Sequence, residues 1–413
     1  MKIGFYTTLS GVMPFDWTLF LDGKVGISGT DGFVLRIAAK LEDSRNQDFD
    51  LSLFTDCNFP RYNGIQINPV ESFKDAVEKA ITQNFNILIF PHREQEEFEK
   101  AARIAEQHDL KLIVWCHNTP NVSYLKLYAS LPALRVILCV SQVQADHMRH
   151  LVAFKKTQVI HNFINLTQFT ASRAKKDKSL TTYIGAITPN KGLQFLLKSW
   201  PEVLKKHPKA KLNIIESAKL YSRNQRLGPL GMGSQEFEEQ YVIPYYGKSL
   251  ESLKKANIKL LGILGPSEIK NHLAESIAVV VNPSFSYKQS AETFFVSAVE
   301  AQACRAAVVG GNVGGLRETT LNGETSLLAN NQNDISRHLN TLLNNPELAL
   351  KMGEQGLNYA KLFDINTGIS QWSDLLKAVF EDNKMKQVCL NVFKCEKKVL
   401  IKELMGLIKR GLT

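Results

Sequence analysis

Short apolar runs alternate with helical patterns along most of this chain. In the first half, Ile3–Thr7, Asp50–Phe54, Ile87–Phe90, Lys111–Cys116, Val136–Val140 and Gln158–His161 predict strands. Between them, apolar residues recur at three- and four-residue spacing. That spacing predicts helices over about 30–43, 72–83, 94–108 and 142–153. A polar, basic stretch, Ala171–Lys178, then reads as a linker. The alternation restarts with strands at Thr182–Ile184, Lys211–Ile215, Ile258–Leu261, Val279–Asn282 and Ala307–Gly310. Helices follow near 192–206, 249–256, 266–275, 294–304, 333–344 and 346–360. Strand–helix alternation implies parallel sheets covered on both faces.

A chain of 413 residues exceeds one core, so two domains are expected. We assign them to residues 1–170 and 179–362, both α/β and doubly wound. Within 363–382, Trp372, Leu375, Leu376 and Val379 lie at helical spacing and predict a last helix. The stretch Glu216–Lys248 contains Leu227–Gly233, too rich in Gly and Pro for a helix. It reads as a flexible surface loop or as a lid over a cleft.

Composition narrows the class. Apolar content of 44% and charged content of 22% suit a soluble globular protein. No apolar run reaches the length of a membrane span. The opening MKIGFYTTLSG reads as a strand and turn rather than a secretory leader. The six Cys (57, 116, 139, 304, 389, 395) form no metal-binding spacing, and reduced thiols in the cytoplasm are expected.

The net charge of +10 is uneven. Residues 383–413 carry eight Lys and Arg against Glu396 and Glu403, with apolar residues at helical spacing. Such a basic amphipathic tail suits an anionic membrane surface, or packs on the body with a solvated basic face. No nucleic-acid recognition motif accompanies the charge, so no nucleic-acid partner is expected.

The candidate chemistry concentrates in Glu292–Arg317, ETFFVSAVEAQACRAAVVGGNVGGLR. Glu292 and Glu300 stand eight residues apart around an apolar run, and Gly314-Gly315 form a turn after a strand. Gly turns and helix N-termini offer free N–H groups to phosphate oxygens. Carboxylates beside them suit the hydroxyls of a ribose or a sugar. Lys191 sits at a helix start after Gly185, where a cation can neutralise a diphosphate. His117 follows the strand Lys111–Cys116, at the sheet edge where ligands of α/β folds collect. Gly29 and Thr30 belong to a Gly-rich loop before an apolar helix. No D-x-D pair lies in a loop, so no essential metal is expected.

The E-x7-E pattern followed by Gly-Gly resembles the donor-binding signature of retaining glycosyltransferases of family four. That resemblance implies the GT-B fold: two Rossmann-like domains facing a central cleft, with the last helix crossing back onto the first. It implies that Glu292 reaches the donor sugar and Glu300 the ribose, with Phe294 and Phe295 beside them. His117 then faces the sugar near its anomeric carbon, and Gly314 and Gly315 join the donor site. Gly29 and Thr30 match the family loop that lines the donor phosphates and the acceptor. Gly185 to Gly192 resembles the family's G-R-x(4)-K-G phosphate clamp, with Ala186 in place of the usual Arg. Either Lys191 and backbone amides suffice, or Arg223, Arg226 or Lys288 substitutes.

The implied activity is transfer of a sugar from a nucleoside diphosphate sugar, with no cofactor. The acceptor would be a glycan or a lipid-linked saccharide in cell-surface polysaccharide synthesis. Location would be cytoplasmic, peripheral on the inner membrane face through 383–413. Another GT-B activity, such as an epimerase, or a binding protein without catalysis remain alternatives.

Overall fold

The computed structural model describes residues 1–12, 15–24, 27, 29–44, 48–94, 97–170, 175–216, 226–285 and 292–382. The basic tail 383–413, Ser28, Arg223 and Lys288 lie outside the described residues.

Two parallel sheets carry the chain. The first holds β1 (Lys2–Tyr6), β2 (Asp50–Thr55), β3 (Gln66–Pro69), β4 (Ile87–Pro91), β5 (Lys111–Cys116), β6 (Leu134–Cys139) and β7 (Thr157–Val159). Their order in space is β3-β2-β1-β4-β5-β6-β7. The second holds β8 (Asp177–Ile184), β9 (Lys211–Ile215), β10 (Ile258–Gly262), β11 (Ser276–Val281), β12 (Ala307–Gly311) and β13 (Ser326–Ala329). Their order is β10-β9-β8-β11-β12-β13. β4, β5 and β11 are buried at every residue, as parallel strands covered by helices on both faces must be. Strand order reverses between β1 and β4, and between β8 and β11. At those switch points adjacent crossovers leave in opposite directions and open a crevice.

Several elements differ from the sequence expectation. β3 and β13, four residues each, were not legible as strands. The helix expected over 142–153 is only Gln142–Asp146, followed by a 3-10 turn Val152–Lys156. The Gly/Pro-rich stretch is neither a flexible loop nor a lid in its described part, 226–248. It contains helices Gln235–Tyr241 and Ile243–Tyr246. The physical reason is Glu238, whose buried carboxylate accepts from the N–H groups of Leu230, Met232 and Gly233. A side chain at Gly228 would collide with that carboxylate. Tyr246 then donates to the Leu197 carbonyl at 2.6 Å and fastens the segment to the helix Leu193–Lys206.

The last described helix, Ile365–Phe380, packs on the first domain. The Trp372 ring meets Trp115 edge-on at 4.7 Å and Phe5 at 6.4 Å. No helix among the described residues is long and apolar enough to cross a membrane.

One carboxylate joins the two sheets. Glu318 follows the Gly314-Gly315 turn in the second domain and is 2% exposed. It accepts from the N–H groups of Gln142 (2.8 Å) and Val143 (3.1 Å) in the first domain. It also meets His161 Nε2 at 2.5 Å. Removing one partner of a buried charged network leaves the others uncompensated. Glu318→Ala should therefore lower the unfolding free energy by about 3–5 kcal/mol in urea titration. A loss below about 1 kcal/mol, the range of exposed pairs, would show that this contact does not hold the domains together.

Candidate active site

The carboxyl ends of both sheets border one cleft of about 960 Å³. The first domain contributes Gly29, Gly32, Phe33 and Arg36; the second contributes Gly185, Lys191, Glu216, Phe295, Glu292 and Glu300. Of the candidates expected from sequence, Gly29, Gly185, Lys191, Glu292, Phe295 and Glu300 therefore share one wall-to-wall space. Thr30, His117, Phe294, Gly314 and Gly315 lie outside its lining.

Lys191 reaches the cleft through a local device. Gly185 follows the end of β8, and Pro189–Lys191 forms a 3-10 turn. Gly192 then adopts φ +74 and opens the helix Leu193–Lys206. A Cβ at Gly192 would stand 2.8 Å from the Ser284 nitrogen, so only glycine fits this turn. The Tyr183 hydroxyl donates to the Lys191 carbonyl at 2.9 Å. Lys191 Nζ meets Glu292 Oε2 at 2.6 Å. The expected phosphate cation and the expected sugar carboxylate thus pair with each other.

Glu300 lies on the helix Val296–Ala303 and shares its cleft face with Val296 and Ser297, one turn earlier. Burial pushes its carboxyl up to about 7; Arg36 opposes the shift and Glu216 adds to it. Glu216 follows β9 with φ +86, a left-handed conformation that costs a non-glycine residue about 1 kcal/mol or more. Burial raises its carboxyl to about 7 as well. Its buried Oε2 has no hydrogen-bond partner. The cleft thus holds two carboxyl groups poised near neutrality, in each other's field.

His117 sits one layer behind the cleft wall. Its ring stacks on Phe33, a cleft residue, at 5.6 Å and 21°. Burial first, and the charge of Arg93 second, push its pKa down to about 3, so the ring is neutral at ordinary pH. Its buried Nε2 has no partner. Thr293 Oγ1 donates to the His117 carbonyl at 2.6 Å, across the domain boundary. His117 and Glu292 are therefore fixed relative to each other by neighbouring residues.

The glycines after β12 serve the loop that carries Glu292. The Gly315 N–H donates to the Glu292 carbonyl at 3.3 Å. A Cβ at Gly314, which has φ +52, would stand 2.5 Å from that same carbonyl. Their close approach in this structure is to the chain's own backbone. Phe294 packs away from the cleft, its ring 5.7 Å from His161 and 5.6 Å from Phe363. Thr30 opens the helix Gly29–Asp43. Its neighbour Asp31 accepts from Thr7 Oγ1 at 2.6 Å and pairs with Arg93 at 2.5 Å. These bonds tie the helix start to the ends of β1 and β4.

Sequence reasoning missed Arg36, Glu216 and Thr293. Arg36 did carry a signal, a lone charge inside the apolar run Phe33–Ala39. Nothing in the sequence marks Glu216 as left-handed or Thr293 as facing His117. Among the described residues no group of three His, Cys, Asp or Glu is placed to hold a metal ion.

Comparisons with known proteins agree with this architecture. The family described as glycosyl transferases group 1 matches residues 166–359. An uncharacterized glycosyltransferase of Methanocaldococcus jannaschii is 27% identical over 229 residues, 55% of either chain. A D-inositol 3-phosphate glycosyltransferase of Streptomyces avermitilis is 25% identical over 270 residues, 61% of this chain and 53% of the relative. The chain spans about half the length of these curated relatives. Among solved structures, sucrose-phosphate synthase from Thermosynechococcus elongatus superposes with a TM-score of 0.69 at 15% identity. That match covers 93% of this chain and all of that one. Anabaena HepE in complex with UDP-glucose superposes with a TM-score of 0.61 at 16% identity, covering 92% of this chain and all of that one. The fold is GT-B. Residues 166–359, which make up most of the second domain, are thus similar to the glycosyl transferases group 1 family.

Proposed function

We propose that this protein is a glycosyltransferase that moves a sugar from a nucleoside diphosphate sugar to a hydroxyl acceptor, without a metal. One observation carries the reading: Lys191 and Glu292 pair at 2.6 Å in a cleft that also holds Glu300. A diphosphate entering the cleft exchanges for Glu292 as the partner of Lys191. Glu292 is then released to accept from the sugar hydroxyls, while Glu300 accepts from the ribose. His117, neutral and with its Nε2 buried behind Phe33 in this structure, would hydrogen-bond the sugar where charge develops once donor binding opens that layer. A neutral imidazole of such low basicity suits this work better than proton abstraction.

Retention at the anomeric carbon follows from the resemblance to family four. The leaving phosphate then takes the acceptor proton, and Glu292 orients the sugar. The acceptor in this reading is a glycan or lipid-linked saccharide of cell-surface polysaccharide synthesis. The tail 383–413 would hold the protein at the anionic inner membrane face. Truncation at Asn383 tests that part: salt-sensitive sedimentation with anionic liposomes should vanish while donor binding persists. HepE, which shares the fold, was solved in complex with UDP-glucose, so uridine diphosphate sugars are the first donors to test.

Full-length protein in EDTA should release nucleoside diphosphate from its donor, and His117→Ala should slow this roughly tenfold or more. Donor affinity should stay within about threefold, because the contact strengthens only at the transition state. A variant with normal turnover and lost affinity would put His117 in ground-state binding. Activity restored by manganese alone would refute metal independence.

Lys191→Ala should weaken nucleoside diphosphate binding roughly ten- to a hundredfold, since a bond to a charged group contributes about 1.5–3 kcal/mol. Calorimetry with the matching nucleoside should show a change below about twofold. Equal losses would show that Lys191 does not contact phosphate.

The Glu300 carboxyl, raised to about 7, is protonated below that pH and becomes a charged acceptor above it. Nucleoside affinity should therefore rise between pH 6 and 8, by up to roughly tenfold, and Glu300→Gln should flatten the profile. The sign for stability is opposite. The folded protein holds these protons more tightly than the unfolded chain, so stability falls as pH rises from about 4.5 to 7. A pH-independent nucleoside affinity would remove Glu300 from the ribose site.

A further inference from the structure

The cleft is short of positive charge for the ligand proposed above. Among its described lining residues only Lys191 and Arg36 are cations, against Glu216, Glu292 and Glu300. Lys191 is already paired with Glu292. Ala186, 2% exposed, stands where the resembled clamp has an arginine, and it can supply neither charge nor a donor. The other cations considered from sequence do not fill the gap. Arg223 and Lys288 lie outside the described residues, and Arg226 is exposed and outside the cleft lining.

Arg36 comes from the opposite wall, on the helix Gly29–Asp43 of the first domain. Its guanidinium lies over the Phe20 ring at 5.2 Å and the Phe33 ring at 5.9 Å. Burial pushes its pKa down, and Glu300 is near enough to oppose that shift. Yet no ion pair within 4.0 Å forms between Arg36 and any described carboxylate. The aromatic faces hold the cation in place without consuming its hydrogen-bond donors. A guanidinium keeps its charge even when buried and presents a planar fork that matches two phosphate oxygens. Held this way, it loses little side-chain freedom on binding.

We infer that Arg36 is the second phosphate-binding cation of this cleft, contacting the donor diphosphate from the first domain while Lys191 contacts it from the second. This rests on the reading of the cleft as a nucleoside diphosphate site. It makes the diphosphate a bridge between the domains, so that phosphate binding also holds the cleft walls together.

The test uses the full chain and calorimetry with UDP, ADP and GDP, and with the nucleoside of whichever binds best. At about pH 9, where the Glu300 carboxyl is ionised with or without its neighbouring cation, Arg36→Gln should weaken the diphosphate roughly ten- to a hundredfold and leave the nucleoside within about twofold. Arg36→Lys, which keeps the charge but loses the fork, should fall between wild type and Arg36→Gln. It also serves if Arg36→Gln does not fold. In thermal unfolding, saturating diphosphate should raise the midpoint of wild type more than that of Arg36→Lys. Unchanged diphosphate affinity in both variants would overturn the inference. So would equal losses for diphosphate and nucleoside, which would make Arg36 an aromatic-packed structural residue. A wild-type protein that binds none of the three diphosphates would overturn the functional reading itself. Wild-type binding with no phosphate-selective loss in the variants overturns only the role of Arg36.

Discussion

The site depends on Glu318, a buried carboxylate that belongs to one domain and is satisfied by the other. An ionised group so little exposed needs several donors to offset lost hydration. Two come from backbone N–H groups at the start of the helix Gln142–Asp146, and His161 supplies the third contact. None is available unless the two sheets stand in this relation. Glu318 follows directly on the turn whose glycines support the Glu292 carbonyl. The same short segment therefore sets both the domain geometry and the height of a cleft carboxylate. The bond from Thr293 to the His117 carbonyl closes the arrangement from the other side.

Within that frame the cleft is electrostatically unfinished. Lys191 takes Glu292 as a partner. Glu216 and Glu300 hold protons to about pH 7 because burial penalises their charged forms. His117 is held neutral by the same penalty and leaves a buried nitrogen without a partner. In the proposed reading, a polyhydroxylated, phosphorylated ligand would satisfy the cleft groups together: its phosphates suit the cations, and its hydroxyls suit the carboxylates. The strained backbone at Glu216 fits the same pattern, since such conformations persist where surrounding structure over-determines them.

The core strands were legible in the sequence because β1, β4, β5, β11 and β12 are apolar on both faces and stand out as continuous runs. β3 and β13 were not, since four residues carry too little pattern. The segment 226–248 was misread for another reason. Its Gly and Pro content describes a chain with no regular structure of its own, whereas its order comes from the single carboxylate of Glu238. Lys191, Glu292 and Glu300 stand out through the resemblance to the family's E-x7-E and K-G patterns, and the structure places all three on the cleft wall.

By itself, the sequence determined two doubly wound domains, the strand ends that border the cleft and most of the charged groups on the second domain's wall. Those features are local: they follow from periodicity, turn chemistry and spacing within about 30 residues. Only the tertiary structure decided that Lys191 pairs with Glu292, and that Arg36 faces them from the other domain. It also decided that Gly314 and Gly315 approach backbone, and that Glu318 joins the sheets. Each of these is a contact between segments whose separation along the chain no pattern records. Burial by distant elements likewise set which carboxyls stay protonated near neutral pH.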